Sequence, residues 1–180
     1  VDNVKVTGAG GNVDATAAVS GSLSCKTTSV TLLGSSTTAN VTYKWTGPGN
    51  FTSTQQNAAI TVPGTYTLVV TASGGCTASA QVTVVQNVTK PDLAVTQPAV
   101  LNCTATTVNL TAATATNGAT ITWTGFAAGQ NPVSVSSPGK YYVTAKDTAN
   151  GCTKLDSVTV TQDTAKPNLT ITAPAVLNCT

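Results

Sequence analysis

Histidine, arginine, glutamate and methionine are all absent from this 180-residue chain. Its eight positive charges are lysines and its six negative ones aspartates, so charged residues make up only 8% of the sequence. Ordinary soluble domains carry roughly 25%. Each absence excludes something. Without histidine or glutamate no ordinary general base is available, and the scattered aspartates do not pair into an acid–base constellation. The chain is therefore expected to be no enzyme and to need no cofactor. Without arginine, and with aromatics at 4%, it lacks both a phosphate grip and a base-stacking platform, so no nucleic-acid partner is expected. No apolar run approaches the roughly 18 residues of a membrane span, and none is expected in this segment.

What is present points one way. Threonine, valine, serine, glycine and alanine dominate. Threonine and valine suit the pleated surface of a strand because they branch at Cβ, while glycine and serine supply turns. A hydrophobic content of 41% sets the chain apart from disordered segments. An all-β fold follows.

The heptapeptide PAVLNCT occurs at 98–104 and again at 174–180, 76 positions on. Aligned on it, the chain repeats throughout. KPDLAVTQPAVLNC at 90–103 returns as KPNLTITAPAVLNC at 166–179, and VTYKWTGPGNF at 41–51 corresponds to ATITWTGF at 119–126. PGTYTLVVTASGGCT at 63–77 returns as PGKYYVTAKDTANGCT at 138–153. The organisation expected is the last strand of a preceding repeat at 1–12, complete repeats at 13–90 and 91–166, and the first strand of a following repeat at 167–180. The chain reads as a window onto a longer array.

Within the second repeat, apolar residues alternate with polar ones: Leu93 and Val95; Val108, Leu110 and Ala112; Ala119, Ile121 and Trp123; Val133 and Val135; Tyr141, Val143 and Ala145; Val158 and Val160. Period two with one wet face describes half-buried antiparallel strands. Six or seven of them in about 76 residues predict a small immunoglobulin-like sandwich. So small a core calls for a covalent staple.

Cysteines stand at 25, 76, 103, 152 and 179, one pair per repeat and the first of a next pair. Zinc needs closer spacing or histidines. Disulfides are expected, one per repeat, joining Cys25 to Cys76 and Cys103 to Cys152, with the partner of Cys179 outside the chain. Such bonds imply an oxidising, extracellular setting. One difficulty attends this pairing. In a standard immunoglobulin topology the two positions lie at opposite ends of the sandwich, so either a middle strand is missing, which reverses the direction of the early strands, or Cys103 reaches a neighbouring repeat.

The pattern of L-x-C, W-T-G, P-G-x-Y, G-C-T and V-T-V resembles the immunoglobulin-like, PKD-like tandem repeats of large cell-surface adhesins of the Bacteroidota. Cys25, Trp45, Tyr66 and Cys76 carry it in one repeat, and Cys103, Trp123, Tyr141 and Cys152 in the other. The resemblance implies export by type IX secretion and a structural role in a filament at the cell surface, serving attachment, gliding or prey contact. The competing class is a carbohydrate-binding module array on a secreted enzyme. Within the first class a cell-surface or glycan target is implied but not identified.

Other residues offer candidate sites. Trp45 and Trp123 could stack on sugars, but their register with Tyr43 and Ile121 predicts core positions. Asp147, Asp156 and Asp163 lack the D-x-D-x-D spacing of a calcium loop and are expected to be solvated charges, with no metal bound. Seven N-x-[ST] sequons, among them Asn40, Asn87 and Asn168, are what so threonine-rich a chain produces by chance. DTA at 147–149, DSV at 156–158 and DTA at 163–165 are similar to O-glycosylation sites of Bacteroidota, which would make Thr148, Ser157 and Thr164 acceptors. Finally, a surface with little charge repulsion and many small side chains predicts lateral association of copies into a homomeric fibre.

Overall fold

The computed structural model describes residues 5–7, 13–166 and 168–173. Cys179 and much of the segments assigned to neighbouring repeats lie outside them. Among the described residues there is no α-helix. A short strand β1 (Lys5–Thr7) pairs antiparallel with β2 (Asp14–Val19). There follow β3 (Leu23–Ser24), β4 (Val30–Ser35), β5 (Val41–Gly47), β6 (Phe51–Ser53), β7 (Asn57–Ile60), β8 (Gly64–Ala72), β9 (Thr77–Val84) and β10 (Gln86–Asn87). They form two four-stranded sheets, β1-β2-β4-β7 and β6-β5-β8-β9, and β10 runs parallel to β3.

The alternation in the sequence sets which face of each strand is buried. In β9, Ala78, Ala80, Val82 and Val84 are buried while Thr77, Ser79, Gln81 and Thr83 face water. The inner faces of both sheets share one core: Ala15, Ala17, Val30, Leu32 and Ile60 meet Trp45, Tyr66, Leu68 and Val70. Alanines opposite large side chains let the sheets interdigitate. Gly34 makes room in the same way: a Cβ there would stand 3.2 Å from the rings and methyls of Trp45 and Leu68 and 2.8 Å from the Gln56 carbonyl.

The second repeat contains β11 (Ala94–Thr96), β12 (Val108–Ala113), β13 (Ala119–Trp123), β14 (Val133–Val135), β15 (Gly139–Asp147) and β16 (Thr153–Val160). Its sheets are β11-β12-β14 and β13-β15-β16. Val108, Leu110, Ala112, Trp123, Val133, Val135, Val143, Ala145, Val158 and Val160 are buried as their alternation predicts. An isolated parallel bridge from Leu101 to Gln162 stands where the first repeat has its β3–β10 pair.

Both repeats carry the tyrosine corner of immunoglobulin sandwiches. The hydroxyl of Tyr66 donates to the Val62 carbonyl at 2.8 Å, and that of Tyr141 to Ser137 at 2.9 Å. The chain is thus all-β, with tandem immunoglobulin-like repeats. Its packing divides it into two compact units: Val1–Leu93 with Thr114–Thr120 and Ala145–Lys154, and Ala94–Ala113 with Ile121–Thr144 and Leu155–Thr180. The division does not fall at the sequence boundary. The first unit takes in two segments of the second repeat.

Candidate functional site

Cys25 follows β3 in a tight turn. Buried Leu23 anchors that turn by donating its N–H to the Val85 carbonyl at 3.0 Å. Ser24 N–H donates to the Thr27 carbonyl at 2.8 Å, and Thr27 N–H returns to the Ser24 hydroxyl at 3.1 Å. The turn presents Cys25 outward.

Cys152 lies between β15 and β16 in a turn closed by its own hydrogen bonds. Gly151 N–H donates to the Asp147 carbonyl at 2.8 Å, Asp147 N–H to the Cys152 carbonyl at 2.9 Å, and Cys152 N–H to the Asn150 side chain at 2.8 Å. Gly151 has φ 78°, and a Cβ there would come within 2.6 Å of the Lys26 Cβ. Only glycine satisfies both constraints.

The two cysteines are bonded to each other, with Cα atoms 5.0 Å apart and 127 residues between them in sequence. Asn150 seals the joint. It is 4% exposed, its amide donates to the Thr89 carbonyl at 2.8 Å and to Asn87 Oδ1 at 3.2 Å, and its carbonyl accepts from Lys26 N–H at 3.1 Å. Lys26 Nζ adds a bond to the Thr148 carbonyl at 3.2 Å. The result is a clasp holding the last turn of the second repeat to the first-strand loop of the first.

This corrects the expected pairings Cys25–Cys76 and Cys103–Cys152. The physical reason is the length of β4. Its Val30 end, beside Cys25, pairs with Ile60; its Ser35 end leads into β5, whose Val41 pairs with Ala72 beside Cys76. Six residues of strand span about 20 Å, whereas a disulfide needs Cα atoms within about 7 Å. Cys152 is taken by Cys25. Cys103 is exposed and outside any disulfide among the described residues, and Cys76 is half-buried against the first core.

The remaining predicted residues fall in different environments. Trp45 and Trp123 are core residues, 0% and 1% exposed. Asp147 is buried, not a solvated charge: its carboxylate caps the clasp turn by accepting the Ala149 N–H at 2.8 Å. Asp156 and Asp163 are exposed. Among the described residues no cluster of three or more cysteine or acidic side chains could hold a metal ion. Thr148 is exposed but its hydroxyl donates to the Gly118 carbonyl at 2.7 Å; Ser157 is half-buried; Thr164 is exposed. Asn40, Asn87 and Asn168 are exposed.

Sequence reasoning missed one recurring device. Asp14 Oδ1 accepts from the Thr37 hydroxyl at 2.7 Å, the Thr37 N–H at 2.9 Å and the Ser36 hydroxyl at 3.0 Å. The Thr37 hydroxyl does most to hold this carboxyl down at about 2. Asp92 does the same in the second repeat, accepting from the Thr116 hydroxyl at 2.6 Å, the Thr114 hydroxyl at 3.0 Å and the N–H of Ala115 and Thr116. The Thr116 hydroxyl first, then the Ala115 N–H, hold it far below the usual carboxylate range. Each aspartate ties the start of its repeat to the loop that follows β4 in the first repeat and β12 in the second. The available signal was an aspartate recurring 78 positions on, with a serine–threonine cluster 22–24 residues after each.

No protein-family model and no curated protein matches the chain. Among solved structures it is similar in fold to murine CEACAM1b, at 16% identity and a TM-score of 0.34 over 76% of this chain and 93% of that one. It is similar to the fibronectin(III)-like modules of Clostridium thermocellum CbhA at 17% identity and TM-score 0.33, over 81% and 90%. For Bacteroides ovatus SGBP-B, solved with a mixed-linkage heptasaccharide, the values are 18% and 0.31, over 89% and 47%. These likenesses concern the sandwich fold alone.

Proposed function

We propose that this chain is a non-catalytic structural segment of an extracellular fibre at a cell surface, of the tandem-repeat adhesin kind that its motifs resemble. One observation carries the reading: a disulfide joins residues 127 positions apart in different repeats. Such a bond persists only in an oxidising compartment, and it adds nothing to a ligand site. It resists separation of neighbouring repeats, which is what a load-bearing stalk requires. Copies associate side by side through the threonine-rich outer faces, where charge repulsion is weak.

The ligand-binding alternative has one observation in its favour. Tyr142 is 44% exposed on β15, with Lys140 Nζ 5.5 Å from its ring centroid. Its counterpart in the first repeat is Thr67, so the aromatic surface does not recur as an array of sugar sites would. Antibody labelling and protease shaving of intact cells test the fibre reading. Labelling along surface filaments is the expected result; a protein released only by lysis, or retention of the chain on a polysaccharide column, overturns it.

A further inference from the structure

Cys103 sits in a turn built like that of Cys25. Leu101, 1% exposed as Leu23 is, donates its N–H to the Thr161 carbonyl at 2.9 Å, and its own carbonyl accepts the Asp163 N–H at 2.8 Å. Asn102 N–H donates to the Ala105 carbonyl at 3.0 Å, and Ala105 N–H returns to the Asn102 side chain at 2.7 Å. These bonds reproduce the Ser24–Thr27 turn 78 positions on, with the asparagine carbonyl in the role of the serine hydroxyl. The seat for the incoming turn is reproduced as well. Asp163, in register with Asn87, is exposed and offers an acceptor where Asn87 receives the Asn150 amide.

We propose that Cys103 is the loop half of a second clasp, closed by the cysteine of a Gly-Cys-Thr turn in a further repeat that follows in the chain. This rests on the reading of the chain as part of a tandem array. The bond forms when the two thiols lose two protons and two electrons to a disulfide-bearing thiol oxidase, which leaves as a dithiol. The second observation behind it is the Cys25–Cys152 bond itself, made by the equivalent cysteine in the equivalent turn.

Such clasps overlap, because Cys103 lies inside the loop that Cys25 and Cys152 close. The consequence is mechanical. After crossing a disulfide to Cys152, a covalent path needs only the 27 positions from 152 to 179 to reach the next loop cysteine. Without the bonds, the same advance from 25 to 179 takes 154 positions. At roughly 3.5 Å per extended residue these are about 95 Å and about 540 Å. The oxidised array therefore cannot be drawn out by unfolding as a simple string of domains can.

The test uses the native protein, blocked with iodoacetamide at harvest and cleaved after lysine without reduction. The expected products are 6–26 joined to 147–154, and the Cys103 fragment (91–140, or 45–140 where the Lys90–Pro91 bond resists cleavage) joined to a Gly-Cys-Thr peptide from a later repeat. Alkylated Cys103, or Cys103 joined to Cys152 or to Cys103 of another copy, overturns the proposal. Surface shaving reads the fibre assignment separately, so a bonded Cys103 in a protein that is not at the surface sinks only that assignment. Single-molecule pulling gives a second readout: the fully extended contour length per two repeats should rise about sixfold on reduction, and an unchanged length overturns the proposal.

Discussion

The two repeats hold their tryptophans in different ways. In the first, the Trp45 indole N–H donates to the Gln56 main-chain carbonyl at 3.1 Å, and that carbonyl also receives Gly34 N–H at 3.1 Å. In the second, the Trp123 indole N–H donates to the side chain of Asn131 at 3.4 Å. Asn131 also receives Ala112 N–H at 3.1 Å and donates to the Ala112 carbonyl at 2.6 Å. The stretch from Trp123 to Val135 is three residues shorter than that from Trp45 to Ile60, and β6 has no counterpart in it. An asparagine side chain has taken over the duty of a missing stretch of backbone. A primary amide offers a carbonyl and an N–H much as a peptide unit does. The sandwich can therefore lose an edge strand and still satisfy the polar groups buried beside its tryptophan.

The largest effects should come from the one feature that joins the repeats. Reducing the protein, or changing Cys152→Ser, should cost roughly 5 kcal/mol by the loop-entropy account of a 127-residue loop. Within residues 1–180 alone, which do not contain the partner of a second clasp, Cys103→Ser should change stability by no more than about 0.5 kcal/mol, because that side chain is exposed. Chemical unfolding followed by tryptophan fluorescence checks both; equal losses would contradict the cross-repeat bond.

Next come the anchors. Trp45→Ala and Trp123→Ala should each cost about 3–5 kcal/mol, since both rings are fully buried. Unfolding curves of the two variants test whether the leaner second repeat collapses around the cavity more readily, in which case Trp123→Ala is the milder.

Smaller, and specific to the substitution of side chain for backbone, is Asn131→Ala. It should cost about 1–3 kcal/mol by leaving the Ala112 amide and carbonyl and the Trp123 indole unpaired. Gln56→Ala removes only the side-chain bond to the Gly34 carbonyl at 2.9 Å, because the carbonyl that Trp45 uses is main chain. It should cost less, on the order of 1 kcal/mol. Denaturation midpoints in the reverse order would break the comparison.

The smallest effect is one of acidity. The Asp14 carboxyl is depressed to about 2 in the folded chain, against about 3.9 for an unfolded aspartate. Its contribution is therefore present in full above the unfolded value and is lost as pH falls through the folded one. Melting temperature should decline between about pH 4 and pH 2, and Asp14→Asn should flatten that decline. Carboxyl titration by NMR should place Asp92 lower than Asp14, as its additional backbone donors require.

The sequence by itself determined what depends on neighbours along the chain. Alternating valines, alanines and threonines decided which face of each strand is buried, because side chains on a strand point to opposite sides in turn. Alternation with Tyr43 and Ile121 placed Trp45 and Trp123 in the core, where they are fully buried, since the face a residue takes is set within its own strand. Tertiary structure alone decided what depends on distance through space. Cys25 and Cys76 belong to one repeat by alignment but lie at opposite ends of a strand about 20 Å long. Cys152, 127 positions along the chain from its partner, stands 5.0 Å away at the Cα atoms. Asp147 reads as one more hydrophilic loop residue until the clasp turn folds over it, and Asp14 becomes a loop anchor only when β2 and β4 pair. Periodicity records the face of an element. It carries no record of which end of that element meets the next repeat.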